Sequence, residues 1–188
     1  GINIARISLS FTNESQQSIK NLGGKSEVNL VGGVYQQLGG RREFSFSKIS
    51  AEFVRYFPTF SNQMFIARFA GEFARPFSHK SIPFYYLNKM DGHENIRGFG
   101  RGRFYGTDLI WGSLEYRFPI LRHSNNCING MIFTDFGQIS QNIFRKFSEN
   151  RVKVTYGFGI DFQALPGVKT MIGIGKSSDG IRLKFDLN

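Results

Sequence analysis

The chain combines a strongly basic charge with an unusually high content of phenylalanine and glycine. Its 188 residues include 21 Phe and 22 Gly, and 24 Lys and Arg against 14 Asp and Glu give a net charge of +10. No run reaches the roughly 18 consecutive apolar residues that a spanning helix needs. The single cysteine, Cys127, excludes an intrachain disulfide framework, and the 15% of aromatic residues argue against a disordered chain.

Apolar and polar residues alternate along most of the sequence. Near the start, Ile7, Leu9 and Phe11 alternate with polar neighbours, and the longest such run is residues 152–162. Because successive side chains of a strand point to opposite faces, this alternation predicts strands with one apolar and one polar face. The clearest alternating runs are residues 6–12, 27–34, 48–53, 65–73, 110–118, 152–162 and 181–187. We expect about nine strands, all antiparallel, and no helix.

The connections between the predicted strands differ in length. They are short at 58–62, 164–167 and 177–180, moderate at 121–129 and long at 75–106 and 139–150. Short turns at one rim and long loops at the other are typical of an outer-membrane barrel, whose strands need roughly nine to eleven residues to span. Alternation also fits a soluble antiparallel sheet, in which the apolar face would meet a core. The pattern alone leaves both folds open.

Four short motifs stand in order in the second half of the chain. They are Ile96-Arg97-Gly98-Phe99, Glu115-Tyr116, Phe133-Thr134-Asp135-Phe136-Gly137 and Tyr156-Gly157-Phe158-Gly159-Ile160-Asp161. Together they resemble the C-terminal half of the barrel of the bacterial surface antigen family, the BamA/TamA-type outer-membrane proteins. The resemblance implies an antiparallel transmembrane β-barrel in the bacterial outer membrane. Residues 1–188 would supply about nine C-terminal strands of the sixteen in a family barrel, as one barrel domain. Upstream strands, and the POTRA repeats of many members, would lie outside this chain.

The resemblance also implies a role for the long loop, residues 75–106. In the family this loop folds back inside the barrel, and the arginine of its tetrapeptide pairs with acidic residues on the lumen wall. Here Arg97 would meet Glu115 and Asp135, while Gly98 would allow a tight turn and Phe99 would pack the loop tip. A guanidinium suits this role because its fixed fork of donors can bind two carboxylates at once.

Two departures from the family pattern affect the ends of this region. The family usually has a Gly-Gly pair a few residues before the tetrapeptide, whereas this chain has residues 90–95, MDGHEN. The C-terminus contains a pattern resembling the outer-membrane insertion signal, formed by Ser178, Gly180, Leu183 and Phe185. Many such proteins end on the aromatic residue itself, but this chain continues for three more residues.

The sequence offers no recognisable catalytic or metal-binding set. His79, His93 and His123 are not at metal-ligand spacing, and no nucleophile lies in an elbow motif or beside a plausible base. Cys127 falls in a predicted turn, where a reactive thiol has no further support. We therefore expect a protein that is not an enzyme and that needs no metal or cofactor.

The positive charge indicates anionic partners. Basic residues are spread along the strands and mixed with acids, which argues against nucleic acid. We expect outer-membrane lipid as a partner, and lipopolysaccharide phosphates at the long-loop rim. The cations at that rim are Arg41, Arg42, Arg101, Arg103, Arg145 and Lys146.

The resemblance implies that the protein assists insertion or translocation of proteins or lipids at the outer membrane, with outer-membrane or secreted proteins as substrates. Two other functions remain open. One is a passive channel or the membrane anchor of a fused secreted domain, and the other is a soluble basic β-protein that binds a ligand.

Overall fold

The computed structural model describes residues 2–14, 24–37, 44–77, 81–93, 95–123, 126–165 and 168–187. These residues form eleven strands, one short α-helix and three 3-10 turns, at Phe60–Asn62, Phe84–Tyr86 and Glu149–Arg151. In chain order the strands and the α-helix are β1 (Ile2–Glu14), β2 (Lys25–Gln37), β3 (Ser45–Pro58), β4 (Met64–Pro76), β5 (Asn88–Met90), β6 (Phe104–Gly106), β7 (Asp108–His123), β8 (Asn126–Ser140), α1 (Ile143–Lys146), β9 (Lys153–Leu165), β10 (Val168–Ser177) and β11 (Gly180–Leu187).

Nine of the strands form one antiparallel sheet in the order β1-β2-β3-β4-β7-β8-β9-β10-β11. Each strand therefore pairs with its neighbour in the chain, apart from the insertion of β5 and β6, which pair with each other as a separate ribbon. The predicted all-β class, the antiparallel pairing and the count of about nine strands are confirmed.

One connection is shorter than the sequence suggested. β7 ends at His123 and β8 begins at Asn126, and the ladder continues through the pairs Arg122–Cys127 and His123–Asn126. The predicted moderate loop at 121–129 is therefore wrong, and the backbone of Cys127 lies in a strand. The polar residues near Asn126 suggested a loop, but the strand pairing already begins at Asn126, at the rim of the sheet.

The two faces of the sheet differ in polarity, and the face with the large apolar side chains is the exposed one. One face, called the outer face here, exposes large apolar side chains such as Ile132, Phe158 and Phe185, which are 56%, 59% and 69% exposed. The other, called the inner face, holds buried polar side chains such as Asp135 and Thr155. A soluble sheet would bury its apolar face, so an apolar face of this extent must meet another apolar medium.

The core of the described chain lies on the inner face. In the segment 77–107, between β4 and β7, the described residues fold back across this face, and the ribbon of β5 and β6 is part of that segment. The cluster that joins segment and sheet consists of Met90, Ile96, Phe99, Leu109 and Trp111. The loop is thus held by a compact apolar cluster on the same side of the sheet as the buried polar side chains.

The expectation of no helix requires a small correction. α1 is a single turn whose first N–H groups are capped by the Asn142 side chain, which accepts a hydrogen bond from the N–H of Arg145 at 3.2 Å. A capped turn of four residues leaves no periodic pattern in a sequence. None of the helices in the described part of the chain is long and apolar enough to cross a membrane.

Candidate functional site

The loop segment 77–107 begins and ends beside the same strand. The side-chain amide of Asn88 donates to the carbonyl oxygens of Glu72 and Thr107 at 2.9 and 2.8 Å. These bonds fasten the ribbon to the end of β4. The rest of the segment can therefore extend over the inner face from a fixed base.

Asp91 and Gly92 shape the turn that leads to the tetrapeptide. The Asp91 carboxylate accepts hydrogen bonds from the backbone N–H groups of His93 at 2.9 Å and Gly102 at 2.6 Å, and so draws together the two sides of the loop. A Cβ on Gly92 would lie 1.9 Å from the carbonyl oxygen of Phe99. This chain thus closes the start of the loop with one glycine and a carboxylate where the family usually has two glycines.

Arg97 reaches the inner face and is surrounded by acceptors. Its Nε and Nη2 donate to the two carboxylate oxygens of Asp135 at 3.0 and 2.7 Å, and its Nη1 donates to Glu115 at 2.6 Å. The backbone N–H of Arg97 also donates to Asp135 at 3.0 Å. The structure thus brings together the three residues that the sequence singled out, with the side chain of Arg97 only 12% exposed.

Asp135 is the centre of this network, and two of its partners were not predicted. Ser113 on β7 and Thr155 on β9 lie opposite Asp135 in the ladders, and their hydroxyl groups donate to its carboxylate at 2.8 and 3.2 Å. Arg97 Nη2 also donates to the Ser113 hydroxyl oxygen at 2.9 Å. The only hint in the sequence was that Ser113 and Thr155 share the polar phase of their strands.

Further contacts fix the orientation of the guanidinium. The Cζ atom of Arg97 lies 3.6 Å from the centre of the Phe133 ring, a cation–π contact. Glu115 also pairs with Arg117, which lies 3.5 Å from Asp161. The charges on the inner face therefore form a chain that extends from the loop across three strands.

Gly98 lies in a tight turn, in which the N–H of Phe99 donates to the carbonyl oxygen of Ile96 at 3.2 Å, and it also allows a close approach to the sheet. Its φ is not among the positive glycine values of the described residues, which are those of Gly102 and Gly180. A Cβ on Gly98 would lie 2.9 Å from the Thr155 side chain and 3.1 Å from the Lys176 backbone, and one on Gly175 would lie 3.0 Å from the Gly98 Cα. Two glycines in contact thus let the loop lie directly on β10.

Ile96 and Phe99, on either side of this contact, point into the apolar cluster. They are 0% and 3% exposed, and the Phe99 ring meets that of Phe104 edge-on at 5.2 Å. The tetrapeptide is therefore fixed in two ways. Its arginine binds the strands, and its two apolar residues are buried in the cluster.

The loop also contacts the last hairpin, β10 and β11. Ser177 donates through its hydroxyl to the Gly98 carbonyl at 2.8 Å, and Lys184 donates to the His93 carbonyl at 3.2 Å. Arg103 binds Asp179 with Nε 2.6 Å from the carboxylate. This hydrogen bond lowers the pKa of Asp179 below its ordinary value, aided by the nearby charges of Arg182 and Lys153.

The insertion-signal pattern is split between a turn and the outer face. Ser178 lies in the turn before β11, and Gly180 begins that strand with a φ of 114°, a conformation that favours glycine. Leu183 and Phe185 are exposed on the outer face. Their role in insertion stays a prediction.

The remaining sequence candidates form no site. The described residues contain no group of histidine, cysteine and acidic side chains that could hold a metal ion. His79, Arg41 and Arg42 lie outside the described residues, as do the side chains of His123, Cys127 and Lys146. Arg101 and Arg145 are exposed, whereas Arg103 is bound to Asp179.

Comparison with protein families decides the assignment. The sequence pattern of the Omp85 superfamily domain matches residues 7–166, which include seven of the nine strands of the sheet at least in part. The chain belongs to the Omp85 superfamily. This superfamily includes the bacterial surface antigen family with its BamA/TamA-type proteins. A comparison with curated proteins finds no match.

Membership in the Omp85 superfamily explains why the apolar face of the sheet is exposed while polar side chains on the other face are buried. Omp85 proteins are bacterial outer-membrane proteins that act broadly in protein insertion and translocation and are not enzymes. In an outer-membrane barrel the outward apolar side chains meet lipid, and the inward side chains are polar. The loop 77–107 and its arginine lie on the inward side of the Omp85 sheet.

Proposed function

We propose that this chain belongs to an outer-membrane barrel that assists the insertion or translocation of proteins or lipids, with outer-membrane or secreted proteins as substrates. The observation that carries the proposal is the position of the loop. Its Arg97 network and apolar cluster brace the polar inner face, which would line the barrel lumen, while the outer face remains free for lipid.

A lumen that a loop holds in shape favours a role in insertion or translocation over that of a passive channel. The loop contacts β7, β8, β9, β10 and β11, so it links the middle of the sheet to its last hairpin. Such a brace holds the wall in a defined shape while the edge strand, whose backbone groups are ready for pairing, meets its partner. The edge strand at this end of the described sheet is β11.

Depletion of the full-length protein from its own bacterium tests this function. We expect less folded outer-membrane protein, or less lipid delivered to the outer leaflet, and rescue by the wild-type protein and by Arg101→Ala. Rescue by Arg97→Ala should be weaker, because Arg97, unlike the exposed Arg101, binds carboxylates on the strands. An unchanged outer membrane after depletion would contradict the proposal.

The alternative functions give different results in the same experiment. A passive channel would change the uptake of small solutes without changing membrane composition. If the chain is a membrane anchor, depletion would remove one secreted domain from the cell surface.

Binding of lipopolysaccharide phosphates by cations of the long-loop rim, such as Arg101 and Arg145, is a further part of the proposal. Gln at both positions should weaken co-purification of that lipid.

A further inference from the structure

Residues 141–152, called the flap below, fold over the outer face of the sheet. Two polar side chains on that face are buried by it. Asp108 is 0% exposed and accepts a hydrogen bond from the N–H of Ile143 at 3.0 Å. Gln138 is 1% exposed and accepts from the N–H of Ser148 at 3.4 Å. The flap is thus fixed at two points on the side of the sheet that otherwise exposes apolar groups.

An aromatic contact strengthens this position. Phe144 of α1 stacks on Phe73 of β4 with ring centres 5.4 Å apart. Phe144 nevertheless remains 76% exposed, and Phe147 is 57% exposed. The flap therefore presents aromatic side chains outward at the long-loop rim, where the outer face ends.

A groove of about 490 Å³ lies between the flap and the outer face. Ala51 and Gly71 are opposite each other in the ladder of β3 and β4, and these small residues form its floor. Phe69 and Phe136, whose rings are 6.1 Å apart, form one wall, and Phe147 of the flap forms another. The groove is open along the face that lipid covers.

The charge of the flap indicates what fills the groove. Its cations are Arg145, Lys146 and Arg151, against the single acid Glu149. Arg145 and Arg151 are exposed. Cations beside a membrane surface attract anionic lipid headgroups, and a depression between aromatic ridges loses dispersion contacts unless something fills it.

We propose that this groove binds one acyl chain of a phosphate-bearing membrane lipid, with the phosphate held by the flap arginines. The inference rests on the proposed membrane position of the outer face. It goes beyond that position because it assigns one ordered lipid to the groove formed by Ala51, Gly71 and the flap, distinct from the lipid that surrounds the rest of the sheet.

Photo-crosslinking tests the proposal. The full-length protein, isolated from its own membranes, is placed in nanodiscs of phosphatidylglycerol whose acyl chain carries a diazirine, and the labelled peptides are mapped by mass spectrometry. We expect labels concentrated on Phe69, Phe136 and Phe147. Ala51→Leu should remove that concentration because a larger side chain fills the floor. Gly32→Leu is the matched control, because a side chain at Gly32 meets nothing within 4 Å.

Lipids with different headgroups test the role of the flap arginines. Arg145→Gln with Arg151→Gln should abolish the preference for phosphatidylglycerol over phosphatidylcholine of the same chains, and Arg6→Gln, at an exposed position on the inner face, should not. Labelling spread evenly over the outer face, and unchanged by Ala51→Leu, would overturn the bound lipid while leaving the membrane position intact. Labelling nowhere on the outer face would overturn the membrane position as well.

Discussion

Arg97 and Asp135 are 38 residues apart in the chain and are joined by three hydrogen bonds, two from the guanidinium and one from the Arg97 backbone. The backbone bond matters because it fixes the loop itself, whatever the side chain does. The carboxylate is fully buried, so these donors and the hydroxyl groups of Ser113 and Thr155 supply its hydrogen bonds.

Removal of the arginine side chain should strongly destabilise the folded protein. Arg97→Ala leaves two carboxylates without their shared cation, and breaking a buried ion pair costs about 3 kcal/mol. We expect unfolding at lower urea concentration in detergent, measured by the gel mobility of unboiled samples. Arg101→Ala, at an exposed position of the same loop, should change little, and an equal loss in both variants would contradict the network.

The two carboxylates should differ in importance. Asp135 accepts from Arg97, Ser113 and Thr155, whereas Glu115 accepts from Arg97 and Arg117. Asp135→Asn should therefore cost more stability than Glu115→Gln, because an amide turns N–H groups toward donors. In a double-mutant cycle, Arg97→Ala and Asp135→Asn should be coupled by about 1 kcal/mol or more. Additive losses would show that the pair does not interact.

The glycine of the tetrapeptide allows a sharper test of the loop position. Gly98→Ala places a methyl group against the Lys176 backbone, which cannot rotate away as a side chain can. We expect faster hydrogen exchange at residues 96–99 and a loss of stability of about 1–3 kcal/mol from overpacking. Gly32→Ala, in open space on the outer face, should leave exchange in the loop unchanged.

Acid should release the loop tip from the last hairpin. The pKa of Asp179 is lowered in the folded state by its hydrogen bond from Arg103. The contact therefore contributes fully above the unfolded-state pKa of about 3.9, and its contribution is lost as pH falls through the lowered folded-state value. Hydrogen exchange at residues 101–103 should rise in that range. Asp179→Asn should remove the pH dependence, and an identical pH profile in this variant would contradict the assignment.

A charge on the outer face should be costly if that face meets lipid. Phe158→Lys places a cation among side chains that are exposed and apolar, and such a change costs about 2–4 kcal/mol at the bilayer midplane. Phe158→Leu keeps the apolar surface and should be tolerated. If Phe158→Lys is as stable as Phe158→Leu in lipid bilayers, the outer face does not contact the hydrocarbon.

Much of this arrangement could be predicted because the sheet has two unlike faces. A slip of one residue would invert both faces, so alternation alone indicates which residues share a side. It placed Glu115 and Asp135 on one face, and the family motif connected them to Arg97. The pairing of Ser113 and Thr155 with Asp135 could not be predicted, because it depends on the register between strands.

The flap could not be predicted for a different reason. Residues 141–152 have no periodicity, and their course over the outer face depends on Asp108 and Gln138, polar residues at the ends of strands otherwise apolar on that side. In the sequence these two residues mark only the ends of strands. Their function as anchors requires knowledge of where a distant segment returns.

The partners of the loop also impose an order on folding. Every strand residue that binds the tetrapeptide, from Ser113 to Ser177, follows it in the chain. When the chain is delivered from its N-terminus, Arg97 reaches the membrane before any of these partners exists in a folded strand. Because contacts between distant residues form slowly, docking of the loop is a late event, and Arg97 stays without its two carboxylates until β7 has paired with β8.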